Sequence, residues 1–172
     1  MLGLQKGIVQ VVTHRRDWSN LFEQERNALQ QHMGSFVLDI QHVGSTSVPD
    51  LPAKPILDIA VAVASEEMIR QCVPLLCQLG YIDRGDQGAD GGYLMVRESS
   101  PEIRTHHLHM VMIDDPQWHQ YLKFRNALRA DDLLRERYAA LKKTLQEQFP
   151  KDRRAYTAAK TDFIRNVLQE PI

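Results

Sequence analysis

The sequence predicts an α/β (α+β) domain, and three observations carry that prediction. Short apolar runs rich in β-branched residues alternate with amphipathic segments over the first two thirds of the chain, and everything from Gln117 onward has helical periodicity. The chain has 172 residues, 43% of them apolar and 25% charged, which is the balance of one globular domain and not of a disordered or disulfide-stapled chain. We therefore expect a single domain over 1–172, with a sheet-containing core at 1–116 and a helical tail at 117–172.

Trp18 to His32 places Trp18, Leu21, Phe22, Ala28 and Leu29 near one helical face, and Gly34 ends that helix. Phe36 to Val43 reads as a strand that stops at Gly44, and Pro55 to Ala64 reads as a second. Between them, Gly44 to Lys54 is dense in residues that favour turns and side-chain-to-backbone hydrogen bonds. Ser65 caps a helix running to Leu79, interrupted or kinked at Pro74. Asp83 to Asp90 is polar and glycine-rich. Tyr93 to Arg97 and Arg104 to Ile113 are expected strands joined by Glu98 to Glu102, and breaks at Asp131 and Pro150 divide the tail into three helices.

Net charge is only −1, so nucleic acid is not the default partner. The tail from Gln117 holds 12 Lys and Arg against 7 Asp and Glu, while the rest of the chain holds 9 against 15. The tail thus either faces an anion or presents an ordinary solvated basic surface. No run approaches the roughly 18 apolar residues of a membrane span, and the N-terminus lacks a signal peptide's apolar core, so the expectation is a cytoplasmic protein without membrane contact. Cys72 and Cys77 are five apart on a helix, on different faces, and are expected to be reduced and structural.

Three clusters have chemical potential. Gly44, Ser45, Thr46 and Ser47 follow a strand in the manner of a turn that offers amides and hydroxyls to phosphate oxygens, with Lys54 as a point charge; an ordinary capped turn reads the same way. Asp58 lies in an apolar run, where a carboxylate needs a partner, and Ala60 and Ala62 on the same strand face leave space above it. His107 and His109 share a face while His106 points away, so two imidazoles and Asp58 would form a site for a divalent ion if the two strands are neighbours; histidines bonded to backbone and carboxylates are the alternative. Arg125 and Arg129, four apart on a helix, are placed for a two-pronged anion clamp, and Arg125 is equally able to bridge to a core carboxylate. Tyr156 and Lys160 have the spacing of a dehydrogenase pair, but no dinucleotide-binding glycine turn follows the first strand, so they read as helix packing.

The run Gln41 to Pro49, with Leu51, Ala53 to Ile56 and Asp58-Ile59, resembles the signature of the GrpB-like proteins of the nucleotidyltransferase superfamily. The likeness extends from Asp17-Trp18, Leu21-Phe22 and Glu25 through His106 to His109, and into Phe124-Arg125, Leu128-Arg129, Tyr138, Leu141-Lys142, Phe149-Pro150, Tyr156 and Lys160 to Ile164. The resemblance implies a nucleotidyltransferase-like mixed β-sheet flanked by helices, with the Gly44 to Ser47 turn holding a nucleoside triphosphate and Asp58 holding a divalent metal, Mg or Mn, with Zn as a further choice. The superfamily carries a second acid two residues on, and here that position is Ala60.

The expected activity is transfer of a nucleotidyl group to an unspecified acceptor, with catalytic Asp58, metal ligands Asp58, His107 and His109, and phosphate-binding Gly44, Ser45, Thr46, Ser47, Lys54 and Arg125. The rivals are a non-catalytic module for a nucleotide or a coenzyme-A-related phosphate, since domains of this kind occur fused to an enzyme of coenzyme A synthesis, and a histidine-metal phosphoester hydrolase. All three take a phosphorylated small molecule as partner, and the oligomeric state stays open.

Overall fold

In the computed structural model of the chain, residues 1–88 and 91–170 are described; residues 89, 90, 171 and 172 lie outside the described residues, including the end of the stretch Asp83 to Asp90. The elements in order are β1 (Leu4–Gln5), α1 (Asp17–Met33), β2 (Asp39–Val43), β3 (Leu57–Val63), α2 (Glu66–Gln78), β4 (Ile82–Asp86), β5 (Tyr93–Ser100), β6 (Ile103–Met112), α3 (Pro116–Ala130), α4 (Asp132–Gln148), α5 (Arg153–Ala159) and α6 (Thr161–Gln169). The strands form one sheet in the order β2-β3-β6-β5-β4. Strands β3 and β6 pair in parallel and the other pairs are antiparallel, so the sheet is mixed. The short β1 pairs with the first residues of β6, beyond the point where β3 begins.

One face of the sheet buries the main core. Ile59, Val61 and Val63 of β3 and Leu108 and Met110 of β6 meet Trp18, Phe22 and Leu29 of α1 and Cys72 and Leu76 of α2, all essentially inaccessible to solvent. Alternation along the strands sends the opposite set, Asp58, Ala60, Ala62, His107 and His109, to the other face. There Trp118, Tyr121 and Leu122 of α3 pack on Ala60, Ala62, Val43 and Val111. The space expected above the two alanines is therefore filled by an indole; small residues bring a helix close, and the open space lies farther down the strand, over Asp58. Helices α4 to α6 complete this side through Tyr138 and Val167, packed with Val48, Leu51 and Leu128, and through Tyr156 and Leu145 beside Val9.

Local differences from the sequence expectations have local causes. Gly34–Phe36 forms a 3-10 turn, so β2 begins at Asp39 and not at Phe36. Helix α2 passes through Pro74 without ending, with Ser65 capping the amide of Met68. Strand β4 is an edge strand with the sequence IDRGD, exposed over most of its length, and carries no apolar alternation that would mark it. Asp131 accepts from the amide of Leu134 and opens α4 as expected, but the tail contains one more break than expected, at Lys160, where no glycine or proline stands. Cys72 is buried and Cys77 exposed, and both are free thiols.

Because Trp118 closes over Ala60 and Ala62, Ala62→Leu is expected to overpack this layer and lower unfolding stability by about 1–3 kcal/mol. Chemical denaturation of the variant beside the parent measures it, and unchanged stability would mean that α3 yields freely.

Candidate functional site

The loop after β2 is held from within. Gly44 has a φ of +67°, and a Cβ built there would lie 2.5 Å from Oδ2 of Asp58, so glycine is required by the neighbouring carboxylate as well as by the backbone angle. Ser47 Oγ donates to the Gly44 carbonyl at 2.6 Å, and Thr46 Oγ1 bonds Nε2 of His42 at 2.9 Å. Arg129 donates twice to the Ser47 carbonyl, at 2.6 and 3.0 Å, and Arg125 donates to the His42 carbonyl at 3.0 Å and to Gln41 Oε1 at 2.8 Å. The two arginines therefore clamp backbone and amide oxygens of the loop, in a separate surface depression beside Phe22 and His42. The structure does not bring Arg125 to Lys54 and Asp58. Of the turn residues, Ser45, hydrogen-bonded to Tyr138, and Thr46 reach the main cavity.

That cavity, about 270 Å³, lies where the N-terminal end of β3, the start of β6 and the helical tail meet. In-register pairing puts Asp58 opposite His107. His107 Nδ1 lies 3.1 Å from Asp58 Oδ1, and its Nε2 lies 2.7 Å from Nη2 of Arg153. A guanidinium only donates, so Nε2 accepts and the ring proton sits on Nδ1, donated to Asp58. Burial, opposed by Asp58, lowers His107 to about 4 and keeps it neutral at pH 7. Burial alone would raise the Asp58 pKa, but the His107 hydrogen bond and the positive charge around it outweigh that and hold the carboxyl well below the usual range. His109 Nδ1 donates to the Gly91 carbonyl at 2.7 Å, and its ring centroid is 6.4 Å from that of His107. His106 lies on the opposite sheet face against Tyr81, as alternation requires.

The remaining wall is cationic. Lys54, Arg104, Lys142, Arg153 and Lys160 all line the cavity, with Asp58 as its one carboxylate among the described lining residues. Burial and the proximity of the other cations lower Lys54 to about 7 and Lys142 to about 6; burial with Arg153, partly offset by Asp58, lowers Lys160 to about 8. Lys142, 2% exposed, donates to the Pro52 carbonyl and lies 4.8 Å from the Tyr138 ring centroid. Lys54 and Lys160 lie 5.2 and 4.6 Å from the centroid of Tyr156. Among the described residues, none of Lys54, Lys142, Lys160 and Arg153 belongs to an ion pair.

Arg104, Lys142, Arg153, Tyr156 and Lys160 were not singled out as ligand-binding by motif, and Tyr156 with Lys160, expected to be packing residues, line the cavity. Lys142, Tyr156 and Lys160 fall within the family resemblance and Lys142, Arg153 and Lys160 within the positive excess of the tail, while Arg104 lies before the tail and carries neither signal. A divalent ion fits these residues poorly. Both ring nitrogens of His107 are engaged, and among the described residues no three His, Cys, Asp or Glu side chains are grouped to share an ion.

The family model described as GrpB protein matches residues 8–170. The chain belongs to the GrpB family. It is 36% identical to the Glutamate-rich protein GrpB of Alkalihalophilus pseudofirmus across 99% of both chains. The crystal structure of conserved protein GrpB from Enterococcus faecalis is 34% identical, with a TM-score of 0.82 over 92% of this chain and 94% of that one. A more distant relative, the dephospho-CoA kinase of Mycolicibacterium paratuberculosis, is 25% identical over 92% of this chain and 44% of its own length. No helix among the described residues of this GrpB-family chain is long and apolar enough to cross a membrane.

The buried lysines couple stability to pH. Their folded pKa values lie below the 10.5 of a free lysine, so the unfolded chain binds more protons between about pH 6 and 10.5 and stability rises with pH across that window. His107 adds the same sign between about pH 4 and 6.5. The melting temperature without ligand is thus expected to rise from pH 6 to 9, and Lys142→Met to flatten that slope. An equal slope in Lys142→Met would show that this lysine keeps its proton in the fold.

Proposed function

We propose that this chain is a binding module for the phosphate end of a phosphorylated small molecule such as a nucleotide, held in the cavity between the sheet and the helical tail. One observation carries the proposal: five cationic side chains converge on a cavity with one carboxylate, and four of them have no ion-pair partner among the described residues. Holding like charges together out of water is costly, which is why the lysines give up protons more readily than usual, and an anion that enters the cavity lets them regain those protons while making charge-assisted hydrogen bonds. Ser45 and Thr46 supply the rim from the turn. The aligned dephospho-CoA kinase keeps a coenzyme-A-related phosphate among the candidate ligands.

Nucleotidyl transfer has less support from the residues. A two-metal phosphoryl mechanism needs several oxygen ligands, and this strand face offers Asp58 alone, already committed to His107. At Ala60, where a second acid would stand, Trp118 packs instead. A histidine-metal hydrolase meets the same obstacle, because His107 has no nitrogen free for a metal.

Equilibrium titration with a labelled nucleoside triphosphate tests the proposal. Arg153→Ala and Lys160→Ala are each expected to weaken binding about tenfold or more, the cost of one charge-assisted contact. Arg125→Ala is expected to lower stability and leave affinity within about threefold, since it holds the loop and not the ligand. Unchanged affinity in both cavity variants would remove the assignment, and pyrophosphate release on incubation would restore the transferase.

A further inference from the structure

We infer that the cavity reads a bare diphosphate: a compact pyrophosphoryl group taken without a divalent ion and without recognition of the group that carries it. The inference rests on the proposed phosphate-binding role and narrows it to a ligand class.

Charge argues for more than one phosphate. Three lysines and two arginines offer more donors than the oxygens of a single phosphate can accept, and a diphosphate brings roughly one more negative charge at neutral pH to meet them. Arg104 lies at the cavity wall with 9% exposure, and its nearest carboxylate, Glu98, stands 3.7 Å from Nη2, so its charge adds to that of the lysines and Arg153.

The same charges argue against a metal-bound ligand. A magnesium ion chelated by the diphosphate would neutralise part of the charge the side chains bind and would itself face five cations with only Asp58 to answer them. Asp58 is bonded to His107 through one oxygen, which leaves a single carboxylate oxygen to answer the ion. The side chains thus occupy the electrostatic role that a divalent ion fills in metal-dependent phosphoryl sites.

The walls also lack the means to tell one base from another. Nucleobases are held by open aromatic faces or by amide and backbone groups that match their edges. Tyr156 is the one Phe, Tyr or Trp among the described lining residues, and both Lys54 and Lys160 sit against its ring, while the imidazoles of His107 and His109 are tied to Asp58, Arg153 and the Gly91 carbonyl. No Asn or Gln lines the cavity among those residues, and its apolar members, Ala53, Ile56 and Leu94, are aliphatic. A base attached to the diphosphate would lie outside.

Calorimetric titration of the whole protein in chelator with pyrophosphate, orthophosphate, ATP and GTP, repeated in excess magnesium, tests the inference. Pyrophosphate is expected to bind about tenfold or more tightly than orthophosphate, ATP and GTP to agree within about threefold, and magnesium to weaken ATP binding about tenfold. Stronger binding in magnesium, or a tenfold preference between ATP and GTP, would overturn the inference while leaving a phosphate site standing. Failure of all four ligands to bind would remove the phosphate site itself.

Discussion

The cavity depends on one chain of hydrogen bonds, Asp58 to His107 to Arg153, and on the parallel pairing that makes it possible. Strands β3 and β6 meet in a register that sets residue 58 beside residue 107, and Gly44 leaves room for the carboxylate between them. Asp58 takes the Nδ1 proton, so Nε2 presents a lone pair to Arg153, the first residue of α5. The imidazole thereby joins the sheet to the helical tail. With Arg153 fixed, Tyr156 follows about one helical turn later and Lys160 about two, which is how both come to face the cavity. Asp58 acts as the anchor of a positioning chain, a sufficient reason for a carboxylate in an otherwise apolar strand.

The cationic cluster is the corresponding strain. Folding would gain from pairing each lysine with an acid, yet Lys54 and Lys160 rest on an aromatic face and Lys142 on a carbonyl and a second aromatic. Such contacts are worth less than a desolvated ion pair with good geometry. The depressed lysine pKa values express that shortfall, because the fold relieves it by releasing protons. Elsewhere the same chain pairs its buried charges: Glu25 accepts from Arg97 at 2.7 and 2.8 Å and from the Tyr81 hydroxyl at 2.7 Å. The contrast sets the unpaired lysines of the cavity against a buried glutamate that the same chain satisfies fully.

Most of the fold was legible in the sequence because it is written in local patterns. The α1 periodicity, the apolar β3, the Ser65 and Asp131 caps and the His107/His109 alternation each depend on neighbours in the chain. Strand β4 was not legible, since an exposed edge strand needs no apolar face, nor was the corner at Lys160, which tertiary contacts impose without a breaker residue. The site was legible in part. Asp58, Lys54, Ser45 and Thr46 stand near one another as their spacing implies, but His107, which bonds Asp58, lies 49 positions away, and Arg153, which bonds His107, 95. Arg153 carries no motif beyond the positive excess of the tail, and Arg104, before the tail, has not even that. The helical spacing of Arg125 from Arg129 suits an anion, a core carboxylate or a carbonyl alike, and the fold sets the His42 and Ser47 carbonyls within their reach.

The absent second acid has a structural explanation of its own. Ala60 and Ala62 are what allow Trp118 to lie close to β3, and Trp118 seats α3. Helix α3 in turn carries Arg125 and Arg129 to the loop that holds Ser45 and Thr46 at the cavity rim. A carboxylate at 60 would stand under the indole, where it would have to be desolvated or push the helix away. A close α3 and a second metal-binding acid therefore compete for the same strand face, and in this chain packing occupies it. Positive charge gathers instead at the end of the strand that α3 leaves open, where Lys142, Arg153 and Lys160 of the tail line the cavity.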